Sequence, residues 1–146
     1  MSKPHLLIVE ARFYADLADE LALGAIEAIE AAGGSWERVS VPGALEIPAA
    51  VKFASIGSSS KFDGYVALGS VIRGETSHYD SVCNESARGL QDLALNFNLA
   101  IGNGILTIED YEQAWARAKR DQKNKGAGAA DAALALIQLK SQFGAA

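Results

Sequence analysis

Short, unbroken apolar runs alternate along this chain with longer segments of helical period, and this alternation limits the fold more than any other feature. The run Leu6-Leu7-Ile8-Val9 is typical of a strand that is buried on both faces of a parallel sheet. Three further strands are predicted at residues 36–41, at residues 65–72, and within residues 99–107. We expect Gly102 and Gly104 to interrupt the last of these strands.

Helical periodicity fills the intervals between the predicted strands. The first helix carries apolar Leu17 and Leu21 and ends at Gly33-Gly34, as helices with glycine caps do. The other helices are predicted at residues 44–54, 77–97, 109–119 and 127–143. Strands separated by helices imply right-handed crossovers and a sheet covered on both faces. The predicted fold class is therefore α/β, a three-layer α/β/α sandwich around a four-stranded parallel sheet.

Length, charge and cysteine content narrow the function classes. A chain of 146 residues fits one domain over residues 1–146, in which residues 58–60 form a surface turn. The net charge of −5 argues against nucleic-acid binding, and the lone Cys83 rules out an internal disulfide. Neither a leader peptide nor an apolar run long enough to span a bilayer is evident. We therefore expect a cytoplasmic protein without a membrane partner.

The loop after the third strand carries the residues best suited to chemistry. It turns into a helix through Gly74, so backbone N–H groups near Glu75 and Thr76 form a helix N-terminus that attracts anions. His78 follows within the first turn and is able to exchange protons near neutral pH. The alternative is purely structural, with Thr76 or Ser77 capping the helix and His78 as a surface histidine.

Other strand ends and one helix supply further candidates. Phe13 follows the first strand and would offer a flat ligand a stacking surface, unless it is a satellite core residue. Glu46 follows Pro42-Gly43, where a carboxylate would also stabilise the helix dipole. Arg117 lies on a late helix and either binds an anion or belongs to a solvated charged face. Cys83 has no visible base and is expected to be a small packed residue.

Taken together, these loops resemble the lumazine synthase (6,7-dimethyl-8-ribityllumazine synthase) family over nearly the whole chain. The motifs occur in the family's order and spacing. They are Ala11-Arg12-Phe13, Val41-Pro42-Gly43-Ala44-Leu45-Glu46-Ile47-Pro48, Leu68-Gly69-Ser70-Val71-Ile72-Arg73-Gly74-Glu75-Thr76-Ser77-His78-Tyr79-Asp80, Gly104-Ile105-Leu106-Thr107, Glu112-Gln113-Ala114 and Asn124-Lys125-Gly126.

The resemblance implies condensation of 5-amino-6-(D-ribitylamino)uracil with 3,4-dihydroxy-2-butanone 4-phosphate, without a cofactor or a metal. His78 would transfer protons, and Phe13 would stack on the pyrimidine. The resemblance further implies that Ala44, Leu45 and Glu46 hold the ribityl chain and that Ser70, Val71 and Ile72 line the ring pocket with backbone groups. Glu75 and Thr76 would occupy the loop that takes the phosphate substrate, while Arg117 would bind its phosphate and Lys125 would lie close to the substrates. In the family the last two come from a neighbouring subunit, so we expect a homo-oligomer with shared sites.

Two departures from the family pattern concern assembly and the pocket wall. Asn103 stands where many members carry an aromatic residue, so one wall of the ring pocket is expected to be more polar. Residues 119–123 contain no glycine, so we expect continued helix in place of the tight turn of capsid-forming members. With the short segment before the first strand, this pattern predicts a free homopentamer, with a decamer as the next alternative, and argues against a sixty-subunit shell.

Two readings from other functional classes stay open at this point. A flavodoxin-like fold with an anion site and an aromatic residue is also suited to hold a flavin or a pyrimidine without reaction, and this role is compatible with catalysis. A purely structural assembly protein would leave His78 without a role. Formation of the fluorescent lumazine from the two substrates distinguishes an enzyme from both alternatives.

Overall fold

In the computed structural model, residues 3–57 and 61–146 are described, and the turn predicted at residues 58–60 lies outside them. Strands and helices alternate along the chain as the sequence predicts. The elements are β1 His5–Ala11, α1 Ala15–Ala31, β2 Ser35–Val41, a 3₁₀ turn Ala44–Glu46, α2 Ile47–Ile56, β3 Gly64–Ile72, α3 His78–Phe97, β4 Ile101–Ile108, α4 Tyr111–Ala118 and α5 Lys125–Phe143.

All four strands are parallel and lie in the order β2-β1-β3-β4, which confirms the predicted sheet. Alternate residues of β1 supply two separate cores, because successive side chains of a strand point to opposite faces. Leu6 and Ile8 pack with α1, α4 and α5 on one face, whereas Leu7 and Val9 pack with α2 and α3 on the other. The result is the predicted three-layer α/β/α sandwich.

The predicted interruption of β4 is wrong, because the strand runs without a break through Gly102 and Gly104. Both glycines face α5 at very short range. A Cβ atom on Gly102 would lie 1.8 Å from the carbonyl oxygen of Ala129, and one on Gly104 would lie 2.9 Å from the Ala129 Cβ atom. Glycine is therefore required here by the close approach of a helix, and the sheet pairing with β3 overrides its low strand propensity.

The predicted helical continuation over residues 119–123 is also wrong. The chain leaves α4 after Ala118 and forms a turn in which the Asn124 N–H donates to the Lys119 carbonyl over 3.0 Å. Asn124 adopts a left-handed conformation with φ of 48°, which asparagine tolerates better than most residues. A tight turn thus forms without glycine, because asparagine takes the positive-φ position next to α5.

Local sequence signals set the other helix ends as expected. Gly33 follows α1 with φ of +80°, which confirms the glycine stop. Pro48 lies in the first turn of α2, where its missing N–H costs little, although the segment begins with a 3₁₀ turn at Ala44 and becomes α-helical only at Ile47. None of the helices in the described ranges combines the length and apolarity needed to cross a membrane.

The contact of Gly102 with α5 gives the first prediction. Gly102→Ala is expected to lower the free energy of unfolding by about 3 kcal/mol or more, because the new methyl group meets main-chain atoms that cannot rotate away. Gly128→Ala is the matched control, since Gly128 lies on α5 with open space around it and helices favour alanine. Urea unfolding at equal protein concentration measures both variants, and similar midpoints would contradict the packing described here.

Candidate active site

A pocket of about 450 Å³ opens at the carboxyl ends of β1 and β3. Parallel strands end at one edge of the sheet, so the loops that follow them meet there. Four segments line the pocket: Phe13 with Tyr14, residues 43–46, residues 70–72, and the start of α3 with the loop before it (Gly74, Thr76, His78, Tyr79 and Val82). Three of these segments are the strand-end loops that the sequence singled out.

The loop between β1 and α1 places an aromatic ring at the mouth of the pocket. Phe13 is 77% exposed and meets only the edge of Tyr14 among the described aromatic rings, with 4.9 Å between ring centroids. A large apolar side chain gains little stability at such a position, so Phe13 is not the satellite core residue of the alternative reading. Its exposed face lies where a flat ligand entering the pocket would stack.

Residues 43–46 form a short main-chain wall. Gly43 is extended, and its carbonyl accepts the Glu46 N–H over 3.2 Å as the 3₁₀ turn begins. Ala44 is buried against the sheet, whereas Leu45 and Glu46 are exposed toward solvent and the pocket. This wall therefore offers a ligand both backbone groups and one carboxylate.

Strand β3 extends beyond β1 and turns its main chain toward the pocket. Its pairing with β1 ends at Leu68, whereas its pairing with β4 continues to Ile72. The Arg73 N–H donates to Ile108 of β4, and the Tyr65 N–H donates to Ala100 directly before β4. In a parallel ladder, Ser70 and Ile72 therefore direct their main-chain groups to the other side. The Ser70 hydroxyl is buried and has no hydrogen-bond partner within the described residues.

The N-terminus of α3 forms the pocket's polar end. His78 is the first residue of this helix, and its N–H donates to the Thr76 hydroxyl over 3.3 Å. The His78 side chain is exposed, and its imidazole makes no hydrogen bond to the part of the chain that is described. The helix N-terminus carries about half a positive charge, which favours an anion near this imidazole.

Arg73, which the sequence reading did not single out, holds this loop in place. Its guanidinium forms an ion pair with Glu109 at 2.8 Å, lies 3.6 Å from Asp80, and sits over the Tyr79 ring at 4.3 Å. These contacts connect the β3–α3 loop to the segment before α4. Burial raises the pKa of the Tyr79 phenol and of the Cys83 thiol beside it, so both are uncharged at neutral pH.

A second ionic cluster that sequence reasoning missed lies behind the β1–α1 loop. Glu10 in β1 is only 1% exposed and pairs with Arg12 and with Arg38 from β2. Asp19 of α1 accepts from both arginines, at 2.8 Å from Arg12 and 2.9 Å from Arg38. The hydrogen bond from Arg12 is the main cause that lowers the pKa of Asp19.

The remaining candidates lie away from the pocket of their own chain. Asn103 is exposed on β4, and its side-chain oxygen accepts the Ile105 N–H over 2.9 Å. Arg117 on α4 donates to the Gln113 carbonyl over 3.1 Å, and Lys125 is exposed at the start of α5. Glu75 is exposed in the loop before α3 but does not line the cavity. Among the lining residues described there is no lysine or arginine.

Comparison with known proteins gives one consistent result. The family model for 6,7-dimethyl-8-ribityllumazine synthase matches residues 3–141. A protein of that name from Agrobacterium fabrum is 59% identical, with 99% of each chain aligned. The one from Sphingopyxis alaskensis is also 59% identical over 96% of this chain and 97% of its own. "6,7-dimethyl-8-ribityllumazine synthase 1" from Rhizobium meliloti is 58% identical over 97% of this chain and 94% of its own.

The buried Ser70 hydroxyl gives the second prediction. Because it has no partner to lose, Ser70→Ala is expected to keep the free energy of unfolding or raise it by up to about 1 kcal/mol. It should also leave the Michaelis constant of each substrate within about twofold, since position 70 meets the pocket through its main chain. Urea unfolding and steady-state kinetics test the two parts. A tenfold rise in either constant would show that the hydroxyl itself bonds to substrate.

Proposed function

This chain belongs to the 6,7-dimethyl-8-ribityllumazine synthase family, and on that premise we propose that the pocket beside β1 and β3 is its active site. The enzyme is a transferase of riboflavin biosynthesis. It condenses 5-amino-6-(D-ribitylamino)uracil with 3,4-dihydroxy-2-butanone 4-phosphate to give 6,7-dimethyl-8-ribityllumazine, phosphate and water. The observation that carries the site assignment is that Phe13 and His78, from loops far apart in sequence, line one cavity.

The apolar and main-chain side of the pocket suits the pyrimidine substrate. Phe13 presents an exposed ring for stacking on the pyrimidine, a contact that is worth about 1–3 kcal/mol for a nucleic-acid base. Main-chain groups of Ser70 and Ile72 bond the ring edge, which is consistent with the extension of β3 beyond β1, and Val71 lines the pocket between them. Ala44, Leu45 and Glu46 hold the ribityl chain, whose hydroxyl groups need acceptors such as a carboxylate.

The polar end of the pocket suits the phosphate substrate, but the residues of one chain do not neutralise the negative charge of that substrate. A phosphate ester carries between one and two negative charges at neutral pH, whereas the α3 N-terminus offers about half a positive charge. Thr76 adds a hydroxyl, and Glu75 in the same loop is negative. Because no lysine or arginine is among the described lining residues, a cation from elsewhere has to complete the site.

We assign that cation to Arg117 of a neighbouring subunit, whose Lys125 lies close to the substrates and whose Asn103 lies on the wall of the ring pocket. All three lie outside the pocket of their own chain. A ring in which each subunit offers Arg117 to the next is a heterologous, closed assembly. We propose a homopentamer of about 5 × 15.3 kDa, with no nucleic-acid or membrane partner.

The turn at residues 119–123 is relevant to whether pentameric rings associate into larger particles. Because the predicted helical continuation is absent, it provides no reason against the assembly of rings into a larger shell. Arg120 in this turn is neutralised by Glu20 and Glu27, with 2.7 Å to the latter. Lys119 and Lys123 stay exposed, and like charges at a contact between rings would repel. Sedimentation of the purified protein measures the assembly directly.

The reaction requires positioning and proton transfer. The substrate amine attacks the ketone and a Schiff base forms with loss of water, phosphate leaves by elimination, and the ring closes with loss of a second water. Holding two reactants together supplies up to about 7–11 kcal/mol of the barrier, and a positioned acid or base contributes about 10²–10⁴-fold. We assign the proton transfers to the exposed imidazole of His78. We propose the cytoplasm as the site of action, where the single Cys83 stays reduced.

Lumazine formation from the two substrates, followed by fluorescence, tests both the activity and the role of His78. Relative to the unmodified enzyme, His78→Ala is expected to lower turnover by about 10- to 10³-fold without loss of folding, because its side chain is exposed at a helix start. His5→Gln is the matched control. His5, the other histidine, is bonded to Ser35 and Glu37 at the amino ends of β1 and β2. A folded His78→Ala enzyme with unchanged turnover would remove His78 from the mechanism.

The assignment of Arg117 predicts both selectivity and complementation. Arg117→Lys should weaken the phosphate substrate much more than the pyrimidine, because lysine cannot reproduce a bidentate guanidinium–phosphate contact. Arg117→Ala and His78→Ala chains, refolded together in equal amounts, should regain about a quarter of the sites, since each intact site takes His78 and Arg117 from different subunits of the ring. Mixed rings with no more activity than either variant alone would rule out sharing.

A further inference from the structure

Glu10 is a buried carboxylate that the proposed mechanism does not use. It is 1% exposed and is the one charged residue among the buried side chains of the described residues, and it lies near the carboxyl end of the inner strand β1. Burying a carboxylate is costly, and a well-packed apolar side chain at such a place is often as stable or more stable. The buried Glu10 carboxylate is therefore better explained by the residues that it positions than by its effect on stability alone.

The hydrogen bonds of Glu10 fix the β1–α1 loop. One of its oxygen atoms accepts from Arg12, the first residue after β1, and from Arg38 Nη2 over 3.0 Å. The other accepts from Arg38 Nε. Arg12 Nη1 also donates to Asp19 on α1, so this one side chain connects the two elements that the loop joins. We call Glu10, Arg12, Asp19 and Arg38 the Glu10 cluster.

The loop anchored in this way carries Phe13, whose ring has almost no packing of its own. Phe13 directly follows Arg12 and is 77% exposed, with the edge of Tyr14 as its aromatic neighbour. Side-chain contacts therefore do little to fix the ring, and its position depends on the main chain at residues 12 and 13. A stacking surface that is not held in place has to be ordered when the ligand binds, and that lowers affinity.

We propose that the Glu10 cluster positions Phe13 for the pyrimidine substrate, so that Glu10 and Asp19 are positioning residues of the active site although neither lines the pocket. The inference rests on the proposed stacking of Phe13 on the pyrimidine. Since the phosphate substrate is assigned to the α3 end of the cavity, the cluster acts on one substrate and not on the other. This selectivity distinguishes positioning from a general contribution to stability.

Steady-state kinetics of Glu10→Gln and Asp19→Asn test the proposal. Each variant keeps the side-chain shape but weakens the hold on Arg12, and Asp19 is exposed enough that its variant will fold even if the buried change is not tolerated. We expect the Michaelis constant for the pyrimidine to rise about 3- to 30-fold, with that for the butanone phosphate and the turnover number within about twofold. Glu27→Gln on the same helix α1 is the matched control, because Glu27 is also exposed and paired with an arginine.

A double-mutant cycle with Phe13→Ala decides how the cluster acts. If the cluster works through Phe13, Glu10→Gln and Asp19→Asn will add little to the effect of Phe13→Ala. Full additivity, equal weakening of both substrates, or an unchanged pyrimidine constant in folded cluster variants would overturn this inference and leave the proposed site intact. An unchanged pyrimidine constant in Phe13→Ala itself would overturn the stacking role, and the inference with it.

Discussion

The parallel pairing of β1, β3 and β4 is the constraint on which the remaining structure depends. Because the strands run in one direction, each must return through a helix, and those helices bury both faces of the sheet. The same direction brings the loops that follow β1, β2 and β3 to one edge. Loops that carry Phe13 and His78 meet there although 64 residues separate them in the chain (78 − 13 − 1). The pocket is thus a consequence of strand direction, and its chemistry is a consequence of the loop sequences.

Most of this architecture could be predicted from sequence, because apolar period and glycine caps are local signals that agree with the final packing. The failures occur where a distant contact decides. Gly102 reads as a strand breaker, yet it is the residue that lets α5 approach β4. The segment at residues 119–123 reads as helix because it lacks glycine, yet Asn124 supplies the left-handed turn and Glu20 of α1 accepts the Arg120 N–H over 2.9 Å. In both places the tertiary contact overrides the local preference.

For the candidate site too, the sequence predicts some of the residues and misses those that depend on distant contacts. The strand-end rule finds Phe13, Glu46 and His78, since each follows a recognisable strand. It does not find Arg73 or the Glu10 cluster, because their partners are distant in the chain. Arg38 lies 28 residues after Glu10 (38 − 10), and Glu109 lies 36 residues after Arg73 (109 − 73). Charged residues are common, and only the fold shows which of them meet. One available signal was Glu10 itself, a lone charge that directly follows the apolar run of a strand expected to be buried on both faces.

Ionic side chains and ligand-facing groups occupy different places in this chain. The pocket walls are mainly main chain, aromatic and aliphatic, whereas Arg73 and the Glu10 cluster stand behind the loops and fix them. An uncharged pyrimidine needs shape and stacking, which a single chain offers once its loops are held. A phosphate ester needs positive charge, and the described lining residues contain no lysine or arginine. In the proposed ring the two substrates therefore depend on different parts of the assembly: the pyrimidine mainly on the ionic clusters within one subunit, with the neighbour's Asn103 at one wall, and the phosphate on the contact between subunits.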